Sequence, residues 1–240
     1  MTDRLELSID TASAMASIAL SRQGRLVAEY TWGCGRDHSR QLLPAVVALL
    51  ARQSASKEAL AAVFVCTGPG SYAGVRTGMA TAKGLAFALE VPLAGVGRLE
   101  IEAYAFAATG LPVAAVHRAG RGELAWAAYA AGTGNQEPGT SLHPAPVGEW
   151  REIVAPRLTP PEALAGALPD GALVTGELDD ALAAALTQRG FRVVRGAAGV
   201  RRAALLAELG WARLQAGRRD DPKSLEPLYL REPAIGPQHT

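Results

Sequence analysis

Few residues of this 240-residue chain have the types and spacing that permit chemistry. Asp10-Thr11 closes an opening run of strand-like alternation, and an acid with a hydroxyl at such a turn can hold a magnesium ion and a phosphate. The same carboxylate can instead accept backbone N–H groups in an Asx-type turn. Gly68-Pro69-Gly70-Ser71 joins an apolar run to a helical pattern. Backbone N–H groups converging at a helix's positive end can bind an anion. The alternative is a tight turn whose glycines permit positive φ and whose Ser71 caps the helix. The Walker spacing GxxxxGK[ST] and the GxGxxG fingerprint are both missing. So is GxSxG, which leaves Ser13, Ser17 and Ser71 without the setting of a hydrolase nucleophile.

Histidine spacing argues against a metal centre. His38, His117, His143 and His239 are far apart, and the position four after His38 is Leu42, so no helical face presents the histidine pair a metal would require. His38 is expected at the surface or at an interface. Cys34 and Cys66 form no CxxC pair and read as small buried apolar residues. The 24 basic and 23 acidic residues leave a net charge of +1, without the basic stripe of a protein that grips RNA unaided. The short pairs Arg201-Arg202 and Arg218-Arg219 lie beside Glu208, Asp220 and Asp221 and read as solvated helix face. Hydrophobic residues make up 49% of the chain, yet no window approaches the ~20 unbroken apolar residues of a membrane span. The opening MTDRLELSID carries acids in a strand pattern where a signal peptide would be basic and then apolar. A cytoplasmic protein with no membrane association is expected.

The elements that must position these residues follow from periodicity. Leu5, Leu7 and Ile9 mark a strand, continued at 16–21 and 26–32 across a hairpin turn at Gln23-Gly24. A helix capped by Asp37 runs to about Arg52, a buried strand covers 63–66, a second helix covers 72–89, and a short strand follows at 92–96. The second half repeats this plan: strands at 113–117, 123–130 and 152–158, a helix at 161–168, a strand at 172–175, a helix at 178–189, a strand at 191–194 and a last amphipathic helix at 201–216. Residues 132–146 read as a loop. Three strands followed by alternating helix and strand, twice over, predict an α/β, duplicated actin-like two-domain fold. The expected units are 1–103, joined by 217–240, and 104–216.

Several segments carry a resemblance. SIDTAS (8–13), HSRQLLP (38–44), TGPGSYAGVR (67–76) with the small-residue helix ending KGLAFAL, PLAGVGRLE (92–100) and PLYLREP (227–233) are similar to signatures of the TsaB family. They cover most of residues 5–104 and the last fifteen or so; residues 138–216 carry no such likeness. The resemblance implies the actin-like fold and a non-catalytic partner subunit in bacterial tRNA threonylcarbamoyladenosine synthesis. It further implies pairing with a homologous catalytic subunit, TsaD, and an ATPase, TsaE, with tRNA reached only through the complex. TsaB relatives keep an Asp, and after it an Arg, just before the GE of the hairpin that here reads HRAGRGE. Arg118 and Gly120 stand in those places, while Gly122, Glu123 and Trp126 match. Without a carboxylate facing Asp10, magnesium and a transferring phosphate lose half their clamp. No resident cofactor is expected, and weak ATP or ADP binding within the assembly at Asp10, Thr11, Gly68, Gly70, Ser71 and Arg76 stays open. Competing functions are an ATP-dependent small-molecule kinase, which needs the missing acid, and a metal-dependent peptidase, which needs the missing histidines.

Helical spacing suggests where a partner would dock. Gly74, Gly78, Ala82 and Ala86 fall four apart as a bare ridge, with Met79, Lys83 and Phe87 on a neighbouring stripe. Interior glycines cost about 1 kcal/mol each, so close helix approach should compensate. The first helix is apolar over a wide arc at 42, 43, 46, 47, 49 and 50, more than one intramolecular face uses. The expected partner face therefore comprises His38, Leu42, Val46, Leu49, Gly74, Gly78, Met79 and Lys83. The same face could pair with itself when the chain is alone.

Overall fold

The computed structural model describes residues 4–132 and 149–231. The loop expected over 132–146 lies outside them except for Gly132, as do His143 and His239. Alternation in the opening segment produces a strand, β1 (Leu5–Asp10), but all six of its residues are buried, the polar ones included. The cause is its position. β1 is the central strand of a sheet ordered β3-β2-β1-β4-β5, built with β2 (Met15–Arg22), β3 (Arg25–Gly33), β4 (Leu60–Cys66) and β5 (Leu93–Val96). β2 and β3 run antiparallel, and β4 and β5 are parallel crossovers through helices α1 (His38–Arg52) and α2 (Tyr72–Leu89). Parallel strands covered on both faces have no solvent side. Glu6 is accommodated by accepting bonds from Ser21 Oγ at 2.5 Å and from the N–H groups of Gln23 and Gly24, which pins the hairpin turn.

The second half builds the same sheet again, with β6 (Val113–Gly120), β7 (Glu123–Ala131), β8 (Trp150–Thr159), β9 (Leu173–Gly176) and β10 (Arg192–Val193) in the order β10-β9-β6-β7-β8. Read outward from β1 and from β6, the two sheets have identical topology. The duplicated actin-like fold expected from element order is therefore present. α4 (Pro161–Ala167) and α5 (Asp180–Gln188) pack on one face of the second sheet around Trp126, Leu164 and Leu186. Its other face shares a core with the first sheet.

The helices between the sheets depart from the expected units. α3 (Arg98–Tyr104), in a segment read only as a crossing, packs on the second sheet. α6 (Ala203–Gln215), placed by sequence in the second unit, lies on the first sheet, where a Cβ on Gly210 would overlap the Phe64 ring. Each unit thus lends a helix to the other. The arrangement was hidden because periodicity reports which face of a helix is apolar but not which sheet it meets. Residues 217–231 return to the first sheet: Asp220 bridges to Leu93, and the Leu228 N–H donates to Thr67 O at 2.8 Å. Among the described residues no helix is long and apolar enough to cross a membrane.

Candidate functional site

The turn after β1, the loop after β4 and the end of β6 border a cleft of about 510 Å³, lined among others by Gly70, Ser71, Arg98, His117, Arg118 and Tyr229. Asp10 sits beside it, 1% exposed. Its Oδ1 accepts the Ala12 N–H at 3.0 Å, which is the Asx-type turn. Both carboxylate oxygens also face Arg201: Nε bonds Oδ2, and Nη2 lies 3.0 Å from Oδ1. The Arg201 guanidinium continues to Glu102 Oε1 at 2.9 Å. Glu102 Oε1 also receives Arg98 Nε at 2.9 Å, and Arg98 Nη2 reaches Glu177 at 2.5 Å. Three carboxylates and two guanidiniums thereby tie the first sheet, α3, the loop after β9 and the entry to α6 together. Burial alone would raise the Asp10 pKa, but the Arg201 charge and hydrogen bonds hold it below the usual carboxylate range. A carboxylate bound in this way by an internal cation has little left to offer magnesium.

Arg201, read from sequence as solvated helix face, is thus a buried member of this network. Arg98 and Glu102 were not singled out either. Their i,i+4 spacing was a signal, but it became informative only once α3 was known to be a helix.

The glycine loop adopts the turn alternative. Gly68 has φ of 90° and precedes a cis Pro69. Gly70 approaches β1's turn so closely that a Cβ would overlap Ala12 O. The Ser71 N–H donates to Ala12 O at 2.8 Å, Ser71 Oγ accepts from Gly74 N at 3.3 Å, and Thr11 Oγ1 donates to Gly74 O at 2.7 Å. Ser71 therefore caps α2, and two N–H groups that could have met an anion are taken, Ser71's by the neighbouring turn and Gly74's by the cap. Arg76 points elsewhere: it lies 4.0 Å from the centre of the Tyr72 ring and donates to Tyr229 Oη at 3.0 Å. Together with the stacked Tyr72 and Tyr229 rings and the bond from Lys83 Nζ to Leu225 O at 3.1 Å, it clasps the C-terminal segment.

The expected partner residues are mostly interior, which corrects that assignment. His38 is buried, with Nε2 2.8 Å from Ser13 O, and Asp37 precedes the helix without a side-chain cap bond. Leu42, Val46 and Leu49 belong to the chain's own core, as does Met79. Gly74 and Gly78 face β1's turn, where a Cβ would overlap Thr11 O and Thr11 Oγ1 respectively. The bare ridge of 74, 78, 82 and 86 thus serves intramolecular packing. A different stripe faces outward. Leu43, Val47 and Phe87 are 50%, 64% and 69% exposed, and the exposed Ala80, Gly84 and Ala88, spaced four apart, form a second ridge. A Cβ on Gly84 would meet nothing within 4 Å. Of the six apolar positions on α1, four turn inward and Leu43 and Val47 do not.

Across the cleft, Arg118 is exposed and lies 3.4 Å from Asp179. His117 is buried, and its Nε2 has no hydrogen-bond partner among the described residues. Burial first, and the Arg98 charge second, push its pKa down to about 4. A histidine depressed in this way stays neutral in the fold while the unfolded chain takes a proton, so stability is lost as pH falls from about 6.5 towards 4. His117→Gln is expected to flatten that decline by about 2 kcal/mol between pH 7 and pH 5. Urea unfolding of both proteins at pH 7 and pH 5 measures it, and parallel losses would refute it. Among the described residues no cluster of three or more His, Cys, Asp or Glu side chains could hold a metal. Both cysteines are buried, and burial pushes the Cys66 thiol up.

A duplicated actin-like fold whose acid beside the cleft is bound by an internal arginine defines the class, and comparison with known proteins narrows it. Residues 32–140 match the family model for TsaD, tRNA N6-adenosine threonylcarbamoyltransferase. A Bacillus subtilis protein named tRNA threonylcarbamoyladenosine biosynthesis protein TsaB is 40% identical over 39% of this chain and 41% of its own length. The Escherichia coli protein of that name is 38% identical over 51% of this chain and 54% of its own. The chain therefore spans about half the length of these curated relatives. The structure called YeaZ from Pseudomonas aeruginosa superposes with a TM-score of 0.74 and 26% identity, covering 93% of this chain and all of that one. The chain belongs to the TsaB (YeaZ) family.

Proposed function

We propose that this chain is a non-catalytic subunit of a tRNA threonylcarbamoyladenosine-forming assembly, docking through α1 and α2 onto a TsaD-like homologue, with a TsaE-like ATPase as further partner. The observation that carries this reading is the Asp10–Arg201 pair: the acid that would serve phosphate chemistry is neutralised from within. The unshielded stripe of Leu43, Val47, Gly84 and Phe87 supports the docking half, since small residues let helices approach and large apolar ones gain from burial. Among the described residues, no second carboxylate faces Asp10 for a kinase and no histidine pair is present for a peptidase.

Mixing the purified chain with its host's TsaD-like protein and measuring the affinity tests the proposal. Val47→Glu is expected to weaken the complex a hundredfold or more, because an unpaired charge buried in a seam costs about 3–5 kcal/mol. Gly84→Leu should block close approach while leaving the chain's own stability unchanged or slightly raised, since glycine is the poorer helix former. Normal binding by both variants would move the interface elsewhere. A phosphate-release assay on the isolated chain is expected to show no turnover, and turnover near ~1 s⁻¹ that Asp10→Ala abolishes would overturn the non-catalytic reading.

A further inference from the structure

A second concavity lies away from the cleft, between the open edge of the first sheet and α1. It encloses about 400 Å³ and is lined by Tyr30, Trp32, Arg40, Gln41, Leu49 and Arg52 among others. β3 is an end strand, so this edge has no neighbouring strand. Tyr30 and Trp32 stand two apart on it and therefore share a face. Their rings stack with centroids 4.8 Å apart and planes 15° from parallel. Trp32 Nε1 donates to Gln41 Oε1 at 2.8 Å, which fixes the inner ring against α1, while Tyr30 is 44% exposed.

The charges are as informative as the rings. The groove is lined by two arginines and no acid. Arg98, Arg201, Arg202 and Arg213 all engage carboxylates, yet Arg40 and Arg52 have no hydrogen-bond or ion-pair partner among the described residues. A preformed aromatic platform between unspent guanidiniums suits an occupant that is planar, π-rich and anionic. A nucleotide meets all three conditions: bases stack on aromatic rings, and arginines neutralise the flanking phosphates. The volume lies in the range of small-ligand sites and is suited to one base with its sugar and phosphate. A duplex keeps its bases stacked on each other and would gain only the arginines.

We propose that this groove stacks an unpaired base of an RNA loop on the Tyr30–Trp32 pair and holds the adjoining phosphates with Arg40 and Arg52. Choosing RNA over a free nucleotide rests on the tRNA-modification reading above. The groove adds a direct contact to the expectation that tRNA is reached only through the complex. With two phosphate contacts and a balanced net charge, that contact is weak in the isolated chain at physiological salt.

The test titrates the full chain, at about 50 mM salt where weak phosphate contacts are measurable, with a labelled anticodon stem-loop RNA, a blunt duplex RNA and AMP. The stem-loop should bind best. Tyr30→Ala should weaken it about five- to a hundredfold, the span of one lost stacking contact, and leave the duplex unchanged. Arg40→Ala and Arg52→Ala should each lower the slope of log affinity against log salt by about 0.7. Arg189→Ala, exposed on the second unit, should change neither. Parental binding by all three groove variants would overturn the proposal, as would AMP competing as well as the loop. So would variants that keep RNA binding but lose assembly with the TsaD-like protein or change self-association, since the groove would then dock protein. Threonylcarbamoylation of cellular tRNA after deletion of the chain is read separately. Its loss, with unchanged RNA titrations, would sink the groove and leave the proposed role standing; its persistence would sink the role.

Discussion

Arg201→Ala is expected to destabilise the isolated chain by about 3–5 kcal/mol, because it leaves Asp10 a buried carboxylate with no arginine bonded to it and Glu102 with Arg98 alone. Native stability of a single domain is typically only about 5–15 kcal/mol, so the variant sits near the folding threshold. Its pH dependence should identify the cause. Asp10 lies below its ordinary pKa in the parent, so its contribution is complete above about pH 4 and is lost as pH falls through the lowered folded value. Without Arg201, the upward push of burial dominates and the sign reverses: the variant gains as Asp10 takes a proton. The gap between parent and variant should therefore narrow from pH 7 to pH 4 in urea unfolding. Arg201→Lys keeps the charge but not the two-pronged geometry, and should fall between. A loss below about 1 kcal/mol at pH 7, or a gap that does not change with pH, would show that the network carries little of the fold.

The second large effect contrasts adjacent positions on α1. Val46→Glu is expected to unfold the isolated chain, because Val46 is 4% exposed in the core. An unpaired charge there costs several kcal/mol. Val47→Glu, one residue on and 64% exposed, should leave the melting temperature within a few degrees of the parent. Gly78→Leu should behave like Val46→Glu, since the new side chain would enter the space of Thr11 and Ile9. Thermal melts of the three variants decide this. If Val46→Glu and Gly78→Leu both fold normally, the α1 and α2 faces assigned to the core are wrong.

Much of the fold was legible beforehand because its signals are local. The limits of α2, the hairpin at Gln23-Gly24, the Ser71 cap and the repeated order of strands all follow from spacing and turn chemistry. Faces were harder. On α1, an arc of six apolar positions leaves the direction of the core ambiguous, so spacing alone does not separate Leu42, Val46 and Leu49, which turn inward, from Leu43 and Val47, which face out. The ridge at 74 and 78 implied the close approach of another helix, whereas the group that approaches is Thr11 in the turn after β1 of the same chain.

The sequence by itself determined the fold class, the lack of paired histidines and of a second phosphate-site carboxylate, and the segments that assign the family. These depend on residue identity at short range. Tertiary structure decided where charge is spent. Arg201 bonds Asp10 across 191 positions, and Arg98 reaches Glu177 across 79, distances over which no periodicity carries information. It likewise left Arg40 and Arg52 unspent, a property that belongs to their surroundings. A charged side chain has the same identity in water and in a buried pair, and only the groups folded against it determine which it joins.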